Sequence, residues 1–264
     1  MVTMRRLKWQ RHYVAAMMLV CAGFSPLLFA EPELSLSAGF DYTTGDYGQA
    51  ADTDMVYLPF TVRYKTDEFN VWLTVPYLWV DGPGGVTRDL GPVRQTTSST
   101  THTESGIGDV IAGLRYGVYA DARQGLLVDV TGKIKFATAD ADKGLGTGEN
   151  DYSLQVDLYQ RWHQYTLIAT LGYTRVGDPP DINLDDRIYH SLGVARKLSE
   201  TTQAGILLDA SGEAFSFDYD REEFFGYISH RLDRQRKVQY YALYGLEEAS
   251  PDVGFGVILT YIFI

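Results

Sequence analysis

Charged residues recur at every second position in several stretches of this sequence. This spacing can bring their charges together on one surface. Asp129, Lys133 and Lys135 follow it in LLVDVTGKIKF (126–136). Because alternate residues of a β-strand point to one face, these charges would share a face of a sheet. Such rows either select ions or solutes, or neutralise one another inside a filled barrel. The residues that we assign to this face are Arg63, Asp109, Arg115, Asp129, Lys133, Lys135, Asp157 and Asp209, together with Tyr57, Trp72 and Tyr241.

The order of these charges predicts cross-strand ion pairs. If the residues on either side of the turn at 119–125 pair with each other, Arg115 lies opposite Asp129, and Asp109 lies opposite Lys135. Opposite charges that face each other across an antiparallel ladder stabilise it.

The segment ATADADKGLGTGEND (137–151) combines acidic residues with glycines. Its D-x-D spacing suits calcium, but the distal Glu of an EF-hand loop is missing. Its glycines are not followed by the lysine of a phosphate-binding loop. We therefore predict a solvated acidic loop and no metal site.

Serine and histidine are adjacent at two places, His190-Ser191 and Ser229-His230. Adjacent strand residues point to opposite faces, so neither pair can form the hydrogen bond that activates a nucleophile. No cofactor-binding motif occurs elsewhere. We therefore predict that the protein is not an enzyme, and a lipid-modifying enzyme stays the least favoured alternative.

The elements that must position these residues are β-strands, because alternation with period two runs through the chain after residue 30. Most strands span nine to eleven residues, the length of a tilted membrane-crossing strand. Five short and six long connectors alternate, as in an even-stranded up-and-down barrel with both termini on one side. The twelve predicted strands are 34–42, 55–64, 69–79, 107–117, 126–136, 152–158, 165–175, 187–197, 202–210, 223–232, 237–245 and 253–263.

Aromatic residues on the apolar faces cluster near strand ends. Tyr64 and Tyr116 lie beside short turns, and Tyr77 and Tyr173 lie beside long loops. An aliphatic belt between two aromatic rings is typical of a lipid-facing barrel surface. A secreted β-sandwich is the alternative, although its strands would be shorter. The sequence therefore predicts an all-β, transmembrane, antiparallel barrel of twelve strands.

The first thirty residues have the order of a secretory signal peptide: a basic segment, an apolar segment, then small residues. We predict cleavage after Ala30, which leaves 31–264 as the barrel. Four of the 23 Lys and Arg, and none of the 34 Asp and Glu, precede residue 31, so residues 31–264 carry a net charge of −15. This charge argues against a nucleic-acid partner.

Four segments carry a family resemblance: SGIGDVIAGLRY (105–116), GKIKFATADADKGLGTGENDYSLQVDLY (132–159), GYTRVGDPP (172–180) and ASPDVGFGVILTYIF (249–263). They resemble the outer-membrane family associated with the meta-pathway of phenol degradation, whose members are described as transporters. The resemblance covers most of the chain from about residue 105. It implies an outer-membrane barrel and uptake of aromatic compounds.

Taken together, these features predict an outer-membrane channel of a Gram-negative bacterium. Apolar residues such as Leu78, Ile111 and Ile168 share the inward frame with the charges, which favours small, mildly hydrophobic or aromatic solutes. The long loops would gate the lumen, chiefly loop 80–106. The partners are membrane lipid, a solute and the outer-membrane assembly machinery. The alternative is a closed structural barrel that binds a partner through its loops.

The chain ends with GFGVILTYIFI, which we interpret as the strand that closes the barrel. Tyr261 and Phe263 would face lipid and serve as the assembly signal. We expect Tyr261→Asp or Phe263→Asp to impair assembly strongly, because each places a charge on the lipid face. The measurement is the amount of heat-modifiable barrel in isolated outer membranes. Deletion of Ile264 should be tolerated, and normal barrel levels in both Asp variants would refute the assignment.

Overall fold

The computed structural model describes residues 32–47, 51–82, 102–179, 184–214 and 219–263. Among these residues, no helix is long and apolar enough to cross a membrane. The β-strands are β1 (Glu33–Gly45), β2 (Thr53–Lys65), β3 (Phe69–Gly82), β4 (His102–Ile107), β5 (Val110–Asp121), β6 (Leu126–Phe136), β7 (Asp151–Trp162), β8 (Tyr165–Arg175), β9 (Arg187–Lys197), β10 (Thr202–Glu213), β11 (Tyr219–Arg231), β12 (Arg236–Gly245) and β13 (Val253–Phe263).

The strands form one closed antiparallel sheet. Strands that follow one another in the chain are paired from β1 to β3 and from β5 to β13. The last strand returns to the first, with Leu34 opposite Phe263 and Tyr42 opposite Phe255. Closure leaves the sheet without an edge along this seam, which confirms the predicted barrel and excludes the open-edged sandwich.

Strands β4 and β5 are two parts of one barrel strand, because both pair with β3. Between the paired segments, Val75 and Pro76 of β3 face three residues of the partner, 108–110, as in a β-bulge. The Gly108 N–H donates to the Pro76 carbonyl at 2.9 Å. Thirteen segments therefore build twelve barrel strands, the number predicted.

Along each strand, side chains point alternately outward and inward, which gives the barrel an apolar outer surface and a separate interior. Leu154, Leu171 and Ile206 are 58–63% exposed on the outer face. In contrast, Asp157 and Thr131 are buried inside. Apolar side chains can cover the outside of the barrel only if the surrounding medium is itself apolar, because water would oppose their exposure.

The predicted register between β5 and β6 is wrong by two residues. Arg115 lies opposite Thr131, and Ile111 lies opposite Lys135. The cause is the hairpin: Asp121 Oδ1 accepts N–H groups of the following turn, and Gly125 takes a positive φ of 70°. With this turn β5 continues to Asp121, and a register shift lies between Gly117 and Tyr119.

Aromatic side chains of the interior lie against glycines of the adjacent strand. A Cβ added at Gly113 would come within 1.8 Å of Trp72, its cross-strand partner. A Cβ added at Gly205 would lie 2.4 Å from the ring of Tyr227, which is opposite Gly205 on the neighbouring strand. A ring in contact with a glycine lies along the wall, so it takes less space in the lumen. Two further pairs are Gly172 with Tyr189, and Gly256 with Tyr241.

This packing predicts different effects of the same substitution at two glycines. Gly113→Ala should lower the free energy of unfolding by about 1–3 kcal/mol, because the methyl group must displace the Trp72 ring. Gly132→Ala is the matched control on the next strand, since nothing lies within 4 Å of its added Cβ. The measurement is the urea midpoint of the gel-mobility shift between folded and unfolded barrel. Equal midpoints for both variants would contradict the packing argument.

Candidate functional site: a lumen with a charged wall and an aromatic wall

The first part of the site is an ion cluster on β5–β7. The Arg115 guanidinium lies 3.7 Å from Asp129 Oδ2 and 3.5 Å from Asp157 Oδ2. All three side chains are buried. The predicted Arg115–Asp129 pair thus forms despite the altered register, because a long side chain reaches a diagonal neighbour.

Asp157 is the most highly connected carboxylate of this cluster. Gln155 Nε2 donates to Asp157 Oδ1 at 2.6 Å, and Thr170 Oγ1 donates to the same atom at 2.7 Å. Thr131 Oγ1 donates to Asp157 Oδ2 at 3.3 Å. These bonds hold the carboxylate in place and offset the cost of burying its charge.

A second ion cluster lies at the long-loop end of the same wall. Lys135 Nζ is 3.2 Å from Asp109 Oδ2 and 2.8 Å from Asp151 Oδ2. It also lies 3.3 Å from Thr147 Oγ1, in the segment that connects β6 to β7. Lys135 therefore joins three parts of the chain: the bulge after β4, this connecting segment and the start of β7.

The connecting segment 137–150 folds into the barrel mouth around Leu145, whereas Asp140 and Asp142 are exposed, as predicted for a solvated acidic loop. Asp109 Oδ1 accepts the N–H groups of Thr138 and Ala139, at 3.1 and 2.9 Å. Leu145 is 1% exposed. It belongs to a buried apolar cluster with Tyr47, Met55, Leu78 and Val80. The residue that crosses the mouth is thus apolar, and the acidic groups lie on either side of it.

A second wall, on β11 and β12, presents aromatic rings. The centroid of Phe225 is 5.2 Å from that of Tyr241 and 6.2 Å from that of Tyr227. The Tyr241 hydroxyl donates to Asp41 Oδ2 on β1. Phe225 and Tyr241 are only partly buried. Both rings pack against a buried cluster inside the barrel that includes Tyr159, Ile168 and Tyr227.

The remaining predicted residues also lie on the inner face, but apart from the ion clusters. Arg63 is opposite Trp72, Asp209 is opposite Ser191, and Tyr57 packs against the cluster around Leu145. Lys133 Nζ is 5.3 Å from the centroid of the Tyr189 ring. Their inward orientation follows the predicted frame, and their role in selectivity stays a prediction.

Sequence analysis missed four members of this site: Asp41, Asp151, Leu145 and Phe225. Alternation within LSLSAGFDY and around Phe225 could have assigned Asp41 and Phe225 to the inner face. No local signal marks Leu145, because its burial depends on residues from β2 and β3. Within the described ranges, no group of His, Cys, Asp and Glu is arranged to hold a metal ion.

Residues 83–101 lie outside the described residues, and so do the signal segment 1–30 and Ile264. The predicted gate at 80–106 therefore stays a prediction. Among the described loops, the segment 137–150 carries Leu145 into the mouth, and the loop after β1 contributes Tyr47 to the same cluster.

The fold and the polar interior define a porin-like β-barrel. A KdgM porin in complex with disordered oligogalacturonate matches with a TM-score of 0.52 and 9% identity, over 87% of this chain and 99% of that chain. A NanC porin matches with a TM-score of 0.53 and 11% identity, over 86% and 98%. The translocator domain of the autotransporter NalP from Neisseria meningitidis matches with a TM-score of 0.50 and 11% identity, over 89% of each chain. At these identities the likeness concerns the fold alone.

The particular family follows from the sequence. Residues 36–208 match the family model "Putative MetA-pathway of phenol degradation", and the chain belongs to this family. The resemblance seen in the sequence is therefore confirmed. The match begins well before residue 105 and ends before the last strand segment, 249–263. No curated protein sequence matches the chain.

The second ion cluster predicts that Lys135 secures the mouth segment. Lys135→Met leaves two buried carboxylates without their cation, at a cost of about 3–5 kcal/mol. We expect the segment to detach and trypsin to cleave faster after the exposed Lys143. The measurement is the cleavage rate of the folded barrel. Lys197→Met is the control, because its ion pair with Glu200 is exposed. An unchanged rate in Lys135→Met would contradict this role.

Proposed function

We propose that this protein is an outer-membrane channel of a Gram-negative bacterium, exported by the signal peptide 1–30. The termini and the short turns would face the periplasm. The support is the barrel itself: its outer face is apolar, its inner face carries charge, and its backbone pairing closes on itself. Only such a closed ladder satisfies the backbone of membrane-crossing strands.

The solute class that fits best is small and aromatic or mildly hydrophobic. The observation that carries this proposal is the combination inside the barrel of aromatic rings on β11 and β12 with charged groups on β5–β7. The aromatic wall around Phe225 and Tyr241 offers ring faces, on which planar apolar groups stack. The charged wall around Arg115 and Asp157 offers polar atoms that a hydroxyl or carboxylate group of the solute can meet. The family description, which names phenol degradation, agrees with this class.

The mechanism would be diffusion along the aromatic wall after passage of the mouth. On the other wall, the cations Arg115 and Lys135 offset two of the four carboxylates that they contact. Leu145 narrows the mouth from the long-loop side.

The experiment is single-channel recording in planar bilayers, with catechol as the aromatic probe and glycerol as the non-aromatic probe. We expect discrete conductance steps, and a concentration-dependent block by catechol that glycerol does not cause. Phe225→Leu should weaken the block by roughly tenfold, because one aromatic contact is worth about 1 kcal/mol or more. Phe224→Leu is the matched control, since the neighbouring ring is 53% exposed on the outer face.

Two results would contradict the proposal. Absence of any conductance or solute flux would favour the closed, partner-binding barrel. Equal block by catechol and glycerol, unchanged in Phe225→Leu, would keep the channel but remove its aromatic selectivity.

A further inference from the structure

The outer face of the barrel carries a groove at its short-turn end. It encloses about 720 Å³ and lies on strands β8–β12. Its floor consists of small residues on neighbouring strands: Gly226 lies opposite Ala242, and Ala204 lies diagonally across from Gly226. Ile206, Ile228 and Tyr240 border this floor, and each of them is at least 50% exposed. The groove is a depression in a surface that is otherwise convex and covered by large side chains.

The groove contains one charged group. Arg196 lies near the end of β9, and its guanidinium carbon is 5.6 Å from the centroid of the Tyr165 ring. Among the described residues that line the groove, Arg196 alone is charged. Its side chain is exposed, and the first residue of β8 supplies the ring that orients it. A cation at one end of an apolar groove complements an amphipathic anion.

We propose that this groove binds one anionic glycerophospholipid of the periplasmic leaflet, with its phosphate on Arg196 and an acyl chain on the floor of small residues. An arginine fork matches phosphate geometry, and the chain would bury the apolar surface of the groove. No carboxylate lines the groove to receive the ammonium group of a zwitterionic headgroup, so phosphatidylglycerol is favoured over phosphatidylethanolamine. This site rests on the membrane orientation in the proposed function.

Gly226 allows a direct test, because a Cβ added there clashes with no part of the barrel. The nearest heavy atom to its added Cβ is Ile206 Cγ2, at 4.0 Å. Gly226→Leu should therefore fill the groove without disturbing the fold. Gly132→Leu is the matched control, since its added Cβ also meets nothing within 4 Å and it lies on β6, outside the groove.

The experiment is native mass spectrometry of the full-length mature barrel, after exchange into vesicles of phosphatidylglycerol or of phosphatidylethanolamine. We expect one retained phosphatidylglycerol in the unmodified protein and in Gly132→Leu, and none in Gly226→Leu. Arg196→Gln should reduce retention roughly tenfold, because it removes a charge-assisted contact. Arg236→Gln is the control for charge, since Arg236 is exposed at the same end and paired with Asp233.

Three results would overturn the inference. The first is equal retention in Gly226→Leu and Gly132→Leu, which would mean that the lipid is not held in the groove. The second is equal retention of the two phospholipids. The third is a dimer that Gly226→Leu converts to a monomer, since a second copy would then occupy the groove. Lipid retention and conductance are separate measurements, so a barrel that retains lipid but does not conduct would refute the channel only.

Discussion

The structure depends on the pairing of backbone N–H and C=O groups in a medium that offers them no other partner. In hydrocarbon, an unpaired backbone group costs several kcal/mol. The seam between β1 and β13 meets this requirement over eleven residue pairs, from Leu34–Phe263 to Thr44–Val253. Once the ladder closes, period-two alternation divides every strand into an outer apolar face and an inner face. The apolar outer face needs no protein partner. The ion pairs and side-chain hydrogen bonds described above therefore lie on the inner face or at the ends of the barrel.

The interior shows how a narrow barrel accommodates both charges and rings. Arg115 lies between two carboxylates, and Lys135 lies between two others. Removal of either cation would leave buried negative charges close together, so each cluster stabilises the barrel only as a complete set. On the other wall, glycines opposite aromatic residues let the rings lie along the sheet. Both features allow charged and aromatic side chains to pack inside the closed sheet.

Local departures from regular pairing position the residues of the mouth. The bulge at Gly108 and Asp109 turns two consecutive residues inward, which brings the Asp109 carboxylate to both Lys135 and the backbone of Thr138 and Ala139. The segment after β6 then turns into the mouth instead of extending the wall. Because of the bulge, the Asp109 side chain holds the segment 137–150 in place.

The sequence by itself determined the number of strands, their approximate limits, and which side chains face in or out, because period two is a local property of the chain. It also indicated that Arg115 and Asp129 would meet, since opposite charges recur at the same spacing on neighbouring strands. Only the tertiary structure decided the register of β5 and β6, the inward fold of 137–150 and the burial of Leu145. Register depends on the turn after Asp121 and on bulges, and the burial of Leu145 depends on β2 and β3, far away along the chain. Contacts between residues that are far apart along the chain produce no periodic pattern in the sequence.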